Sequence, residues 1–178
     1  KIAQDHGAKI VKNIKLTVGP GRNEGFKVAK GDLIAFSDDD CVMDRDWLSN
    51  SVRYFNDEKL GGLSGPTITQ NEGGALGEAI GIIFALAAGS GVSAHRSEGD
   101  YVKEVKDIPG CNAIYRREAL QKVFPIDESL ITAEDVEMNN LIRKQGYKLL
   151  YVPDVKLRHY RSQNLLSLFK QMYRFAVG

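Results

Sequence analysis

The sequence predicts an α/β fold with a mostly parallel mixed sheet flanked by helices. Short apolar runs typical of buried strands alternate with stretches in which apolar residues recur at helical spacing. Such alternation favours parallel strands connected by helices. No repeat or low-complexity linker interrupts the sequence, so residues 1–178 are expected to form one domain.

Composition and charge indicate an ordinary globular protein, with 43% hydrophobic residues, 26% charged residues and a net charge of +1. This balance does not favour a nucleic-acid partner. Cys41 and Cys111 lie far apart in the sequence and imply neither a disulfide framework nor a zinc site, which favours a reducing compartment. We expect no signal peptide and a sequence that starts in mid-domain, because residues 1–7 resemble the end of a helix stopped at Gly7.

The first elements before the sheet are predicted from glycine and apolar spacing. Residues 8–11 are expected to form a short strand, and residues 19–25 a turn-rich loop. Asn23 could cap a helix over residues 26–29 that stops at Gly31. The loop is a weak candidate for phosphate binding, because its glycines are one residue off the GxGxxG spacing and no Lys-Ser/Thr follows.

A strand at residues 33–36 leads directly into three carboxylates, those of Asp38, Asp39 and Asp40. These acids are expected just past the carboxyl end of a buried strand, where open α/β sheets bind their ligands. Three adjacent carboxylates repel one another, and a hard divalent cation such as Mg²⁺ is the usual compensator. A solvated acidic turn is the alternative, and these residues alone leave both open.

The remainder of the sequence continues the alternation. An apolar stretch at residues 75–94 is expected to form a buried or interfacial helix rather than a membrane span, because its charge-free part is short. The other predicted elements are a helix from Asp44 that ends by Gly61-Gly62, an edge strand at 63–68, a loop and strand at 108–115, a helix from Arg116, a helix from Ala133 to Gln145 stopped at Gly146, a strand at 147–152, an extended piece carrying His159, and a last helix capped by Ser162 or Asn164.

Six segments then stand in a recognisable order: residues 21–25, 30–41, 46–48, 109–120, 133–137 and 146–153. In this order they resemble the family 2 glycosyltransferases, inverting enzymes of the GT-A fold, over nearly the whole sequence. Residues 171–175 resemble the QxxRW motif of processive polysaccharide synthases, with Phe in place of Trp. The sequence is most similar to membrane-associated exopolysaccharide glycosyltransferases of the succinoglycan type.

The resemblance also has gaps. The opening strand and the Asn/Glu-containing loop that hold the nucleotide base in that family have no match, so we expect the N-terminal part of the domain to lie upstream of Lys1. Membrane association, at the cytoplasmic face, is expected through segments outside these residues. Residues 1–178 would then be a partial catalytic domain that binds nucleotide poorly by itself.

The resemblance implies a UDP- or GDP-sugar donor, a glycan or lipid-linked acceptor, and Mg²⁺ or Mn²⁺ as the cofactor. The DxD motif of the family matches Asp38 and Asp40. Asp40 would bind the metal ion and Asp38 would face the ribose, while the triple acid leaves the role of Asp39 in donor binding ambiguous. His159 would be a second metal ligand, although a lone histidine is as often structural.

The ED motif of the family matches Glu134 and Asp135. Inversion needs a general base within hydrogen-bonding distance of the acceptor hydroxyl. Asp135 would be that base, and it would be ionised at neutral pH with an ordinary pKa of about 4. Glu134 would orient the acceptor. As an alternative, either acid could simply complement the positive end of a helix dipole.

The remaining site residues are implied by their positions in the same motifs. Arg174 carries a guanidinium that matches phosphate oxygens, and the ring of Phe175 could stack on a sugar. Arg22 and Asn23 could alternatively be a loop-capping pair. The implied donor contacts are Arg22, Asn23, Gly110, Asn112 and Arg174, and the implied acceptor contacts are Gln171 and Phe175.

Two other functions compete with this interpretation. A degenerate glycosyltransferase-like module could bind glycan without catalysis. A haloacid-dehalogenase-type phosphatase would use Asp38 as a covalent nucleophile, because residues 38–42 fit its DxDx[TV] pattern. The phosphatase would also need a later lysine and a Gly-Asp-rich acidic loop, which the surroundings of Glu134 and Asp135 do not supply.

Overall fold

The computed structural model describes residues 2–70, 79, 100–160 and 165–177, without the side chains of residues 167, 171 and 174–177. The helices are α1 (Ile2–Asp5), α2 (Val18–Val28), α3 (Trp47–Val52, followed by a 3₁₀ turn at Arg53–Asn56), α4 (Arg117–Gln121), α5 (Glu134–Lys144) and α6 (Leu165–Val177). The strands are β1 (Leu33–Ser37), β2 (Cys41–Met43), β3 (Leu60–Ser64), β4 (Thr67–Gln70), β5 (Lys103–Val105), β6 (Asn112–Arg116), β7 (Lys148–Tyr151) and β8 (Leu157–Tyr160).

The described strands form two mixed sheets. The larger sheet has the order β1-β6-β3-β7-β5, and the smaller has the order β2-β8-β4. In the larger sheet, β3 and β7 pair in parallel, while β6 is antiparallel to both β1 and β3, and β5 is antiparallel to β7. The predicted α/β class with a mixed sheet is confirmed. The predicted predominance of parallel pairing is wrong for the described strands, because β6 inserts between two strands that run in one direction.

Side chains on the two faces of the larger sheet enter two separate hydrophobic clusters. Along β6, Ala113 and Tyr115 join one cluster and Ile114 joins the other, as the two-residue period of a strand requires. Helices α4 and α5 cover the first face, and Trp47 of α3 covers the second. Because β6 is packed on both sides, the ends of β1 and β6 are held firmly where the acidic residues begin.

The N-terminal segment differs most from the sequence-based prediction. Residues 8–11 form no strand, and residues predicted as a loop lie inside α2, with Asn23 in its middle rather than at its cap. Pro20 is tolerated because it lies in the first helical turn, where its missing N–H costs no hydrogen bond. Asn23 then anchors the helix: its amide donates to the carbonyl of Ile126 (3.0 Å) and accepts from the N–H of Ile126 (2.9 Å). This tertiary anchor outweighs the low helix propensity of the neighbouring glycines.

Gly61 and Gly62 were predicted to end the preceding helix. In the structure they instead lie within β3. A Cβ atom on Gly61 would lie 2.7 Å from atoms of Ile142 and Tyr147, and one on Gly62 would lie 2.5 Å from Tyr115 Cδ1. Glycine is required here because helix α5 and the Tyr115 ring approach the strand closely, and not because the chain turns.

The elements of the second half agree with the prediction. Helix α5 begins at Glu134 and is followed by Gly146 in the left-handed region (φ +89°). The predicted helix at 75–94 and the caps Ser162 and Asn164 lie outside the described residues, apart from residue 79. Within the described ranges, no helix combines the length and apolar character that crossing a membrane requires.

Candidate functional site

The three aspartates connect the two sheets. Asp38 follows the last residue of β1 and Asp40 precedes the first residue of β2, in a turn closed by the Cys41 N–H and the Asp38 carbonyl (3.3 Å). Strand β2 pairs with β8 so that Cys41 faces His159, and the Tyr160 N–H donates to the Asp40 carbonyl (2.8 Å). The sequence-distant His159 is thereby brought to the aspartates.

Asp38, Asp40 and His159, termed here the Asp–His cluster, offer ligand atoms that all lie within 4.8 Å of one another. His159 Nε2 lies 3.0 Å from Asp40 Oδ1, and the buried Nδ1 of the same ring has no hydrogen-bond partner among the described residues. Two carboxylates and an imidazole suit Mg²⁺ or Mn²⁺. The residues present therefore fit a divalent cation, as the resemblance implied.

The environment of Asp38 is electrostatically unfavourable for a lone carboxylate. Asp38 is exposed as a whole residue, but partial burial of its carboxyl group raises its pKa, and the electrostatic effect of the nearby Cys111 adds to the rise. The charges of Arg22 and His159 oppose it. A cation bound by this carboxylate would relieve the same cost.

Glu134 and Asp135, termed here the Glu–Asp pair, open helix α5 next to this cluster. The Glu134 carboxylate accepts a hydrogen bond from Arg22 Nη1 at 2.8 Å, and each side chain is only 10% exposed. Burial raises the pKa of Glu134 despite the opposing effect of Arg22. Arg22, which binds Glu134, also lies over the Phe36 ring at 5.2 Å, two residues before Asp38, so the two groups of acids adjoin.

Asp135 is half-buried and is held by backbone donors. Its Oδ2 accepts from the Gly110 N–H (2.9 Å) and its Oδ1 from the Val136 N–H (2.9 Å). The predicted residues Gly110 and Arg22 also meet: a Cβ on Gly110 would lie 2.0 Å from Arg22 Nη2. Glycine at this position therefore allows the guanidinium to lie between the loop and Glu134.

Other predicted site residues have different surroundings. Asn112 is fully buried, and its amide group donates to the carbonyls of Gly65 (3.0 Å) and Val155 (3.1 Å) and accepts from Trp47 Nε1 (2.8 Å). Asn23 is 2% exposed and is engaged in the same way by the segment at Ile126. Both amides thus shape the backbone around the site, and both are turned away from solvent.

The remaining predicted residues carry less structural information. Asp39 is exposed between its two neighbours. Gln171, Arg174 and Phe175 lie on helix α6, but their side chains are outside the described part of the chain. Their roles stay predictions.

Sequence reasoning did not predict that Cys41 and Cys111 lie close together. Cys41 Sγ donates to Asp40 Oδ1 at 3.9 Å, and interaction with the Cys111 side chain, followed by burial, raises the pKa of Cys41 far above its ordinary value. Ligand atoms of both cysteines and His159 lie within 4.8 Å of one another. The available signal was indirect: each cysteine directly follows a motif, Asp40 in one case and Gly110 in the other, that was assigned to the same site.

Solved structures with similar folds include glycosyltransferases. A mannosyltransferase from Pyrobaculum calidifontis, solved with GDP-Man and Mn²⁺, matches with a TM-score of 0.59 and 19% identity over 95% of this chain and 41% of its own. GalNAc-T7, solved with UDP, GalNAc and Mn²⁺, matches with a TM-score of 0.66 and 18% identity over 92% of this chain and 34% of its own. These likenesses show the fold, and confirm that it is the GT-A fold.

Curated relatives are also glycosyltransferases. The poly-β-1,6-N-acetyl-D-glucosamine synthase of Staphylococcus aureus (strain COL) is 27% identical over 157 residues, which is 88% of this chain and 37% of the relative. The O-antigen chain rhamnosyltransferase RfbN of Salmonella typhimurium (strain LT2) is 28% identical over 165 residues, which is 88% of this chain and 51% of the relative. The chain thus spans about a third to a half of the length of these relatives.

A family model covers most of the sequence. The model described as glycosyl transferase family group 2 matches residues 33–178, which include both aspartate motifs, His159 and helix α6. This match decides between the glycosyltransferase interpretation and the phosphatase alternative. The chain belongs to glycosyl transferase family group 2.

Proposed function

We propose that the protein is an inverting, metal-assisted glycosyltransferase that moves a sugar from a UDP- or GDP-sugar to a glycan or lipid-linked acceptor. The observation that carries the proposal is the adjacency of the Asp–His cluster and the Glu–Asp pair: Gly110, whose N–H binds Asp135, is followed directly by Cys111, whose sulfur lies within 4.8 Å of the ligand atom of His159. One group of acids suits a cation and the other suits a proton acceptor, which are the two needs of sugar transfer from a diphosphate.

In this proposal the Asp–His cluster holds the donor side. Asp40 and His159 bind the cation, and Asp38 and Asp39 face the nucleotide-sugar. A bound Mg²⁺ or Mn²⁺ would supply positive charge that neutralises the departing diphosphate. Arg22 and Arg174 add further positive charge for the phosphate oxygens.

The Glu–Asp pair holds the acceptor side. Asp135 removes the proton from the attacking acceptor hydroxyl at its carboxylate. The N–H groups of Gly110 and Val136 fix the orientation of that carboxylate. Glu134, which is bound by Arg22, positions the start of helix α5 and the acceptor. Gln171 and Phe175 complete the acceptor site.

Two amides act by positioning. Asn112 ties together the segments around Gly65 and Val155, and Asn23 ties helix α2 to Ile126. Their contribution to donor binding is therefore through the shape of the site. The protein would act at the cytoplasmic face of a membrane, with which it would associate through segments outside residues 1–178.

The test is sugar transfer by the intact protein from a panel of UDP- and GDP-sugars, with and without Mn²⁺. We expect metal-dependent transfer, and NMR of the product should show an anomeric configuration opposite to that of the donor. Retention of configuration would contradict the direct attack by an acceptor activated at Asp135. Binding of donor and glycan without any turnover would favour the non-catalytic module instead.

A further inference from the structure

The two cysteine thiols and one imidazole meet because of strand register. Cys41 is the first residue of β2 and pairs across the sheet with His159 of β8. Cys111 directly precedes β6, whose first residue pairs with Ser37 at the end of β1, three residues before Asp40. The backbone of two sheets thus fixes ligand atoms of Cys41, Cys111 and His159 within 4.8 Å of one another.

This set of donor atoms differs in chemistry from the carboxylates beside it. Two sulfur atoms and one imidazole nitrogen are ligands for a borderline or soft cation such as Zn²⁺, whereas Mg²⁺ and Mn²⁺ prefer oxygen. Three such protein ligands leave one of four tetrahedral positions open, an arrangement found in catalytic zinc sites. His159 is only 8% exposed, and its buried Nδ1 has no hydrogen-bond partner among the described residues.

We infer that Cys41, Cys111 and His159 form a second cation site, for a thiophilic divalent ion of the Zn²⁺ class. Each thiol gives up its proton to solvent when the metal–sulfur bond forms, and no electron is transferred. His159 belongs to this site and to the Asp–His cluster. One imidazole cannot serve both cations in the same geometry, so occupation of the thiol site weakens Mn²⁺ or Mg²⁺ binding at the cluster.

The first experiment is a Co²⁺ titration of the reduced, intact protein under anaerobic conditions. Cobalt bound by thiolates gives a near-ultraviolet charge-transfer band, and tetrahedral coordination gives intense visible bands. We expect both in the wild type, their loss in Cys41→Ser and in Cys111→Ala, and their retention in Asp38→Asn. Circular dichroism would verify that each variant is folded. If one of the two cysteine variants does not fold, the other still tests the inference.

The inference is overturned if the folded wild type gives no thiolate band, or if the band survives in Cys41→Ser. This readout needs no glycosyl transfer, so it stands or falls separately from the proposed function.

The second experiment measures competition at His159. Mn²⁺ is bound first, and its release on addition of Zn²⁺ is followed by electron paramagnetic resonance. We expect Zn²⁺ to release Mn²⁺ from the wild type at a concentration at least about tenfold lower than from Cys41→Ser, given the usual sensitivity of metal affinity to its surroundings. Equal release from both proteins would show that Zn²⁺ enters through the carboxylates, and would contradict a thiol site.

Discussion

The Asp–His cluster and the Glu–Asp pair are both acidic and adjoin each other, but the protein provides their carboxylates with different partners. Glu134 faces the guanidinium of Arg22, and Asp135 accepts hydrogen bonds from two backbone N–H groups. Among the described residues, the Asp38 carboxylate accepts no hydrogen bond, although burial raises the pKa of both Asp38 and Glu134. Under the proposed function, the cluster relies on a cation from outside the chain, whereas the chain itself supplies the partners of the pair.

The largest expected effect is on the Glu–Asp pair. Replacing Asp135 by Asn keeps a group of the same shape but removes the base, so the rate of transfer should fall by about 10²- to 10⁴-fold. Donor and Mn²⁺ affinities should change little, because the cation is assigned to the other group. Transfer rates and calorimetric binding of Mn²⁺ by the intact protein would measure both.

Glu137→Gln is the matched control for Asp135→Asn. Glu137 lies in the same helical turn and is exposed, so its replacement should leave transfer close to the wild-type rate. Unchanged transfer in Asp135→Asn would show that Asp135 is not the base.

The second prediction tests whether Arg22 compensates the buried negative charge of Glu134. Replacing Arg22 by Met leaves the buried Glu134 carboxylate without its cation, which should lower the free energy of unfolding by about 3–5 kcal/mol. Arg53→Met is the control, because its ion pair with Asp154 is exposed and should contribute at most about 1 kcal/mol. Urea denaturation of both variants gives the comparison.

A further variant separates charge from packing, since Arg22 also lies over the Phe36 ring at 5.2 Å. Adding Glu134→Gln to Arg22→Met should restore part of the lost stability, because the uncompensated charge is gone. Equal stability of the single and double variants would assign the effect to the Phe36 contact.

The third prediction concerns the cluster that the fold leaves uncompensated. Asp40→Asn should weaken Mn²⁺ binding by at least about tenfold, the lower end of the effect of altering groups that merely surround a metal site. Asp46→Asn is its control, because Asp46 is an exposed acid whose side chain forms no cap on helix α3. Similar Mn²⁺ affinities in the two variants would place the cation elsewhere.

These contrasts show where sequence reasoning succeeds. The acids after β1 and at the start of α5 were predicted because each follows a local signal, an apolar strand or a helix start, that is contained in a few neighbouring residues. The strand of His159 was predicted in the same way. The positions of these residues in strands and helices, which depend on local pattern, were therefore within reach, and their roles stay predictions.

Contacts between distant segments were not within reach. Arg22 contacts Glu134, which lies 112 residues later in the sequence. Arg22 is part of helix α2, and the glycines around it led to the prediction of a loop there. Asn112 was predicted to contact a ligand, but its surroundings within the protein are set by Gly65 and Val155. The meeting of Cys41 and Cys111 depends on the registers of two separate sheets, which no spacing in the sequence reveals.

The smallest expected effect is the pH dependence of stability that Glu134 causes. It tests how far Arg22 offsets the cost of burying the Glu134 charge. Burial raises the pKa of Glu134 above 4.5, so the folded protein holds this proton more tightly than the unfolded protein. The resulting stabilisation is present in full below pH 4.5 and is lost as the pH rises through the raised pKa. Wild type should therefore gain stability relative to Glu134→Gln as the pH falls from neutral towards 4.5.

The slope of this difference cannot exceed about 1.4 kcal/mol per pH unit, the value for one proton. Urea denaturation of wild type and Glu134→Gln at several pH values would measure it. The opposite sign, with wild type losing stability as the pH falls, would mean that the charge of Arg22 outweighs desolvation. Arg22 would then fully offset the cost of burying the Glu134 charge. The Glu–Asp pair would differ from the Asp–His cluster more than the raised pKa of Glu134 implies.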